Sequence, residues 1–179
     1  MGRKKEITNF TLTQEFLNHV AGPYSLDVVK NCLRKNGRLV DEEIGRKIKQ
    51  LKITEIRTIL NQLHYRGIAA YNKTKDKNSG WYTYTWEIKK KRIAELIVEQ
   101  QLENVQKLES TLAFEKGHEF FSCEKKCEEI AFEIAAEYEF KCPECGGIMA
   151  PHNNKEKIKT IQKQIHSIKT ELKEIEKTI

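Results

Sequence analysis

Cys123, Cys127, Cys142 and Cys145 stand as two close pairs, C-x3-C and C-x2-C, within a short stretch of one chain. Four thiolates at such spacing can close a tetrahedron around a zinc ion and leave no position for water. The metal is therefore expected to be structural, one per chain, rather than catalytic. The second pair lies in Cys142-Pro143-Glu144-Cys145-Gly146-Gly147, where proline and glycine permit the tight turn that aims two sulfurs and nearby backbone N–H groups at one point. The other readings are unrelated reduced cysteines or two disulfides. Disulfides suit neither a chain that starts without a signal peptide nor one lacking the dense cysteine framework of small secreted domains. The fifth cysteine, Cys32, falls in an apolar helical pattern and is expected to be inert core. No enzyme is expected. A zinc nucleobase deaminase pairs H-x-E with P-C-x-x-C, whereas here Pro143 follows Cys142 and no H-x-E precedes the cysteines. His118 and His152 are expected on the surface, and no catalytic residue is assigned.

A second set of residues could meet nucleic acid or a protein surface. Lys73, Lys75 and Lys77 border a polar turn, and Trp81, Tyr82, Tyr84 and Trp86 follow at once. Cations beside aromatic rings attract phosphate and can stack on unpaired bases. Strand alternation puts Trp81 on one face and Tyr82, Tyr84 and Trp86 on the other, so about half of these rings are expected in the core. Lys73, Lys75, Lys77, Trp81 and Tyr82 are the contact candidates.

The elements that must position this turn precede it. Leu12, Phe16, Leu17 and Val20 recur at helical spacing before Gly22-Pro23. Ser25 is expected to cap a second helix that carries Leu26, Val29, Cys32 and Leu33 inward before Gly37. Asp41 is expected to cap a short helix with Ile44 and Ile48 on one face. A third helix from about Thr54 buries Ile56, Ile59, Leu60 and Leu63 and stops at Gly67. Strands Ile68–Thr74 and Trp81–Glu87 then flank the turn of residues 75–80. Helices followed by a hairpin are the layout of a winged helix-turn-helix. The outer face of the third helix offers Glu55, Arg57, Thr58, Asn61, Gln62 and Tyr65, a poor set for reading base edges.

Charge divides the chain. Residues 1–91 hold 19 Lys/Arg against 9 Asp/Glu, and residues 92–150 hold 6 against 13, so a net charge of +6 hides a basic and an acidic end. The basic end suits nucleic acid and the acidic end repels it, which points to an adaptor rather than a DNA-coating protein. No apolar stretch approaches membrane-spanning length, so a cytosolic protein with no membrane partner is expected.

Two helical segments remain. Ile93, Ile97, Val98, Leu102, Val105, Leu108 and Leu112 stripe a long helix after Lys89-Lys90-Lys91-Arg92. Ile158, Ile161, Ile165, Ile168, Leu172, Ile175 and Ile179 alternate gaps of three and four, a coiled-coil seam. The cysteine segment between them can return the chain on itself, and intramolecular pairing costs less entropy than dimerisation. A monomer is expected, with a homodimer through the last helix as the alternative. The whole is read as α+β and mostly helical: a winged-helix domain at 1–91, a linker helix at 92–114, a four-cysteine zinc ribbon at 115–151 and a C-terminal coiled-coil helix at 152–179.

In this order and at this size, the modules resemble the archaeal transcription factor E family, the counterpart of the alpha subunit of eukaryotic general transcription factor E. The likeness is carried by Leu39-Val40-Asp41-Glu42-Glu43-Ile44, by Ile56-Arg57-Thr58-Ile59-Leu60-Asn61-Gln62-Leu63, and by Phe132, Glu137, Phe140 and Cys142-Pro143-Glu144-Cys145-Gly146. The C-x3-C pair departs from the family's proline-bearing C-x2-C, which implies a distorted first knuckle and weaker metal binding. The resemblance implies a non-catalytic initiation factor, cytoplasmic and nucleoid-associated. It would join RNA polymerase, at its clamp and stalk, with TATA-binding protein and transcription factor B, aid promoter opening, and stabilise the melted non-template strand. The alternative is a dimeric winged-helix DNA-binding repressor with a structural or sensing zinc site.

Overall fold

The computed structural model describes residues 6–35, 37–77 and 80–178. The fold is α+β, and 58% of the described residues are helical. It forms two compact units, one of residues 1–100 with 170–179 and the other of residues 101–169.

The first unit begins with a single 3-10 turn, Ile7–Asn9, then α1 (Thr11–Ala21), α2 (Ser25–Leu33), β1 (Arg38–Val40), α3 (Asp41–Lys47), α4 (Ile53–Tyr65), β2 (Ala69–Lys75) and β3 (Tyr82–Ile88). Helix α4 buries Ile56, Ile59, Leu60 and Leu63, the residues its periodicity marks. They meet Leu12, Phe16 and Leu17 of α1 and Val28, Val29 and Cys32 of α2 in one core. Burial pushes the Cys32 thiol up to about 12, so it stays a protonated, inert core residue.

Local details depart from the sequence expectations. Ser25 does not cap α2; it is the first helical residue, and its hydroxyl donates to the Gly22 carbonyl at 2.6 Å. Val28 takes the buried position together with Val29 and Cys32, while Leu26 and Leu33 are only half-buried. Asp41 likewise opens α3 from within, after Val40, and its carboxylate accepts the Glu42 N–H. The hairpin strands begin and end one residue later than the expected limits. A third strand was not anticipated: β1 pairs antiparallel with β3, Leu39 opposite Trp86, giving the order β1-β3-β2. Three residues are too few for alternation to announce a strand. Gly37 makes the turn into β1 at φ 80, where a side chain would press on the Ile88 carbonyl at 3.3 Å. Of the residues expected in the hairpin turn, Asn78 and Ser79 lie outside the described residues.

Helix α5 (Lys90–Gly117) and helix α7 (Lys155–Glu176) contribute to both units. In the first unit, Ile93 and Ile97 of α5 and Leu172 and Ile175 of α7 are buried. Glu171 accepts the backbone N–H of Leu12 at 2.8 Å, satisfying a donor that the start of α1 would leave open, and Lys90 donates to the Thr178 carbonyl. In the second unit, Val105, Leu108 and Leu112 pack on Ile161, Ile165 and Ile168. A half-exposed Lys169–Glu109 ion pair at 2.6 Å also links the two helices. Leu102 departs from the expected stripe and is 54% exposed. The seam of α7 is thus covered within the chain; its last expected member, Ile179, lies outside the described residues.

The remainder of the second unit is β4 (Phe120–Cys123), β5 (Glu129–Ala131), α6 (Phe132–Glu137) and β6 (Met149–His152), an antiparallel sheet in the order β5-β4-β6. Glu115, near the end of α5, is almost fully buried. It receives the Asn154 amide at 2.8 Å and the Lys157 ammonium at 2.6 Å. Burial raises its carboxyl, but the hydrogen bonds from Lys157 and Asn154 outweigh burial and hold it below the ordinary value.

Three outcomes are expected. Light scattering at micromolar concentration gives a monomer mass, and Ile165→Ala lowers stability by about 2 kcal/mol, at the small end for such truncations. Because the folded Glu115 carboxyl titrates low, its contribution is present above the ordinary carboxylate range and lost as pH falls through the folded value. Glu115→Gln should therefore cost about 2 kcal/mol near neutral pH and much less in acid, read by urea unfolding at both.

Candidate metal centre and wing

Two turns bring the four cysteines together. Cys123 ends β4, and the chain turns back through Lys126, whose N–H donates to the Cys123 carbonyl at 2.8 Å. Lys126 takes φ 57, a left-handed conformation that favours glycine. The second turn does the same with Gly146 at φ 67, where Gly146 N–H donates to Cys142 and Cys142 N–H to Gly147, at 2.8 and 2.7 Å. The longer C-x3-C spacing is accommodated by this left-handed lysine, and both knuckles bring their sulfurs to one point.

The four sulfurs lie within 4.8 Å of one another, with Cys123 Sγ 3.5 Å from Cys145 and 4.0 Å from Cys127. A zinc ion with sulfur ligands at about 2.3 Å requires sulfur–sulfur edges of about 3.8 Å, so the set fits one tetrahedral ion. A Cβ on Gly147 would sit 3.3 Å from Cys145 Sγ and 3.8 Å from Cys123 Sγ, so the missing side chain keeps the cradle open. Cys123 and Cys142 are buried beside Met149, with Phe121 and Ile130 against them, while Cys127 and Cys145 face outward.

The thiols share their protons unevenly. The backbone N–H of Lys125 leads in lowering Cys123, to about 7, while Cys127 is pushed up to about 12 by its hydrogen bond to Cys145 and by burial. At Cys142 the backbone N–H groups of Cys145 and Glu144 act downward, but burial and the neighbouring thiols win and raise it. Four sulfurs this close cannot all ionise without a cation among them, which is the electrostatic reason for a metal here. His118 hydrogen-bonds the Phe114 carbonyl and His152 faces Glu129 at 3.7 Å.

The wing candidates share one hairpin. Register places Lys73 opposite Tyr84, Lys75 opposite Tyr82 and Tyr71 opposite Trp86, so these side chains form one ladder on a single face. Trp86 is buried at its base, Tyr84 is half-buried, and Tyr82 is exposed toward the tip. Lys73 Nζ lies 3.8 Å from the centre of the Tyr82 ring, and Lys75 lies 5.7 Å from it. Trp81 is 78% exposed and Lys77 stands exposed in the turn.

Sequence reading missed what happens to Arg57. Its Nε donates to the buried Asp41 carboxylate at 2.6 Å, and that hydrogen bond leads in raising the guanidinium's pKa. The one arginine on the outer face of α4 is thereby held against α3. The nearest sequence signal is the Asp41…Arg57 pair itself, and nothing in their spacing marks it.

Comparison with known proteins supplies the family. Residues 11–117 match the model of the TFIIE alpha subunit. A transcription factor E of Metallosphaera sedula is 31% identical over 90% of this chain and 91% of its own. A transcription factor E of Saccharolobus islandicus is 35% identical over 82% of this chain and 83% of its own, and one of Methanococcus vannielii is 35% identical over 80% and 81%.

Purified protein is expected to carry one equivalent of zinc by elemental analysis and to lose it in Cys142→Ser. Lys126→Gly, which relieves a left-handed lysine worth about 1 kcal/mol, should tighten zinc several-fold in a chelator competition, whereas Gly146→Ala weakens it. A fold with these modules, a cradle for one tetrahedral metal and relatives spanning nearly its whole length places this chain in the TFIIE alpha family.

Proposed function

We propose that this chain is a general transcription initiation factor without catalytic activity of its own. The observation that carries the reading is the match to transcription factor E proteins along most of the chain, together with an outer α4 face whose arginine is committed to Asp41. The remaining side chains of that face, Glu55, Thr58, Asn61, Gln62 and Tyr65, are exposed and offer no bidentate cation for guanine. A factor that works at any promoter has no need to read sequence there.

In this reading residues 1–91 are the winged-helix domain, 92–114 the linker helix, 115–151 the ribbon and 152–179 the coiled-coil helix. Cys123, Cys127, Cys142 and Cys145 hold one structural zinc, which supplies fold rather than reactivity. The protein joins RNA polymerase at its clamp and stalk, with TATA-binding protein and transcription factor B, in the cytoplasm at the nucleoid. Lys73, Lys75, Lys77, Trp81 and Tyr82 contact the melted non-template strand or the polymerase and aid opening. The cation and ring ladder supports this, since phosphate attraction and base stacking are both indifferent to sequence. No described helix is long and apolar enough to cross a membrane.

RNA polymerase is expected to co-purify with the tagged protein. On a promoter that melts poorly, a Lys75→Ala, Lys77→Ala, Trp81→Ala variant should stimulate transcription about tenfold less, because one stacked ring is worth about 1–3 kcal/mol. A variant that folds normally and stimulates like wild type would make the wing structural only. A dimer with a site-specific footprint on duplex DNA would favour the repressor reading instead.

A further inference from the structure

Three phenylalanines of the second unit form a cluster that metal binding does not require in full. Phe121 of β4, Phe132 at the start of α6 and Phe140 beyond its end lie ring to ring at 6.0, 5.0 and 5.9 Å. Phe121 roots the cluster on the Cys123, Cys142 and Met149 core. Phe132 is left 43% exposed, and Phe140 is half-buried beside it.

The backbone is strained to present Phe140. Helix α6 ends with Phe140 N–H donating to Ala135 at 2.8 Å and Glu139 N–H to Ala136 at 3.1 Å, a closure that glycine ordinarily makes. Here Glu139 and Phe140 adopt φ 50 and 56 in succession. Two side-chain-bearing residues in that region cost free energy that glycine would avoid, so the ring and the carboxylate are held there against local preference.

The surroundings are acidic. Glu133, Glu137, Glu139 and Glu144 are all exposed, and the one cation between residues 132 and 144, Lys141, lies 3.0 Å from Glu139. We propose that this face docks an arginine-bearing, aliphatic segment of a protein partner. A guanidinium is planar and weakly hydrated; it stacks on an aromatic ring while its N–H groups reach a neighbouring carboxylate. An exposed ring on a segment whose exposed charges are mostly carboxylates offers both, and aliphatic side chains cover the remaining ring surface. Nucleic acid would find the same rings behind repelling charge. The inference stands apart from the transcription reading, and polymerase co-purification is scored separately, so either can fail alone.

The test uses the full chain with its zinc content verified and short labelled peptides of equal length, read by fluorescence anisotropy. A peptide alternating Arg and Leu is expected to bind. One alternating Arg and Ser should bind about threefold to fivefold more weakly, and one alternating Glu and Leu should not bind. Phe132→Ser should weaken the Arg/Leu peptide by a similar factor while leaving zinc content unchanged. Equal affinity for the Arg/Leu and Arg/Ser peptides would reduce the face to bulk charge and overturn the proposal, as would an unchanged affinity in Phe132→Ser. Should that variant lose zinc, Glu133→Gln with Glu137→Gln decides, because the rings remain: weakened Arg/Leu binding supports the proposal and unchanged binding overturns it. A single-stranded oligonucleotide whose binding depends on Phe132 would assign the face to nucleic acid and overturn it as well.

Discussion

Two long helices with apolar stripes cannot both stand in water, and this architecture follows from covering them. The seam of α7 carries isoleucine and leucine at every third or fourth position, and each buried side chain of that size is worth about 1.5–3 kcal/mol. Pairing it with α5 in the same chain requires the intervening residues to reverse direction. The sheet of β4, β5 and β6 with its two cysteine knuckles makes that reversal, and Glu115 with Asn154 and Lys157 fixes where the second helix begins. Closing the loop locally avoids the entropy of bringing together two chains.

The same economy of polar groups shapes the first unit. Asp41 is buried, and a buried carboxylate without a partner is costly, so the chain must bring a cation to it. Arg57 fills that role from α4. The pair also orients Arg57, since a guanidinium anchored to α3 through its Nε is turned toward that helix. The hairpin differs: its cations lie over tyrosine rings and remain at the surface, where attraction to phosphate or protein is unspecific.

Zinc, if bound by four thiolates, would leave the cysteine module more negative still, and the acidic residues around α6 already set its sign. The basic and acidic ends therefore suit different kinds of surface.

Much of this was legible in the chain itself. The cysteine spacing announced the metal cradle, the three-and-four gaps announced α7, and the periodicity of Ile56, Ile59, Leu60 and Leu63 announced α4, because each pattern reflects a local geometry that a few residues define. The hairpin could be read from its turn residues and alternation, within one residue at each end. Tertiary structure alone decided the rest. Strand β1 is too short to carry a period and exists because β3 offers it an edge. Ser25 and Asp41 look like caps by type, yet both stand inside their helices, where Ser25 bonds the Gly22 carbonyl and Asp41 pairs with the distant Arg57. Glu171 closing the start of α1, and the left-handed Lys126, Glu139 and Phe140, arise from contacts or closures that composition does not encode. Sequence determined which residues could form each element and ligate a metal; only the folded chain decided which polar groups met, since those meetings join residues far apart along it.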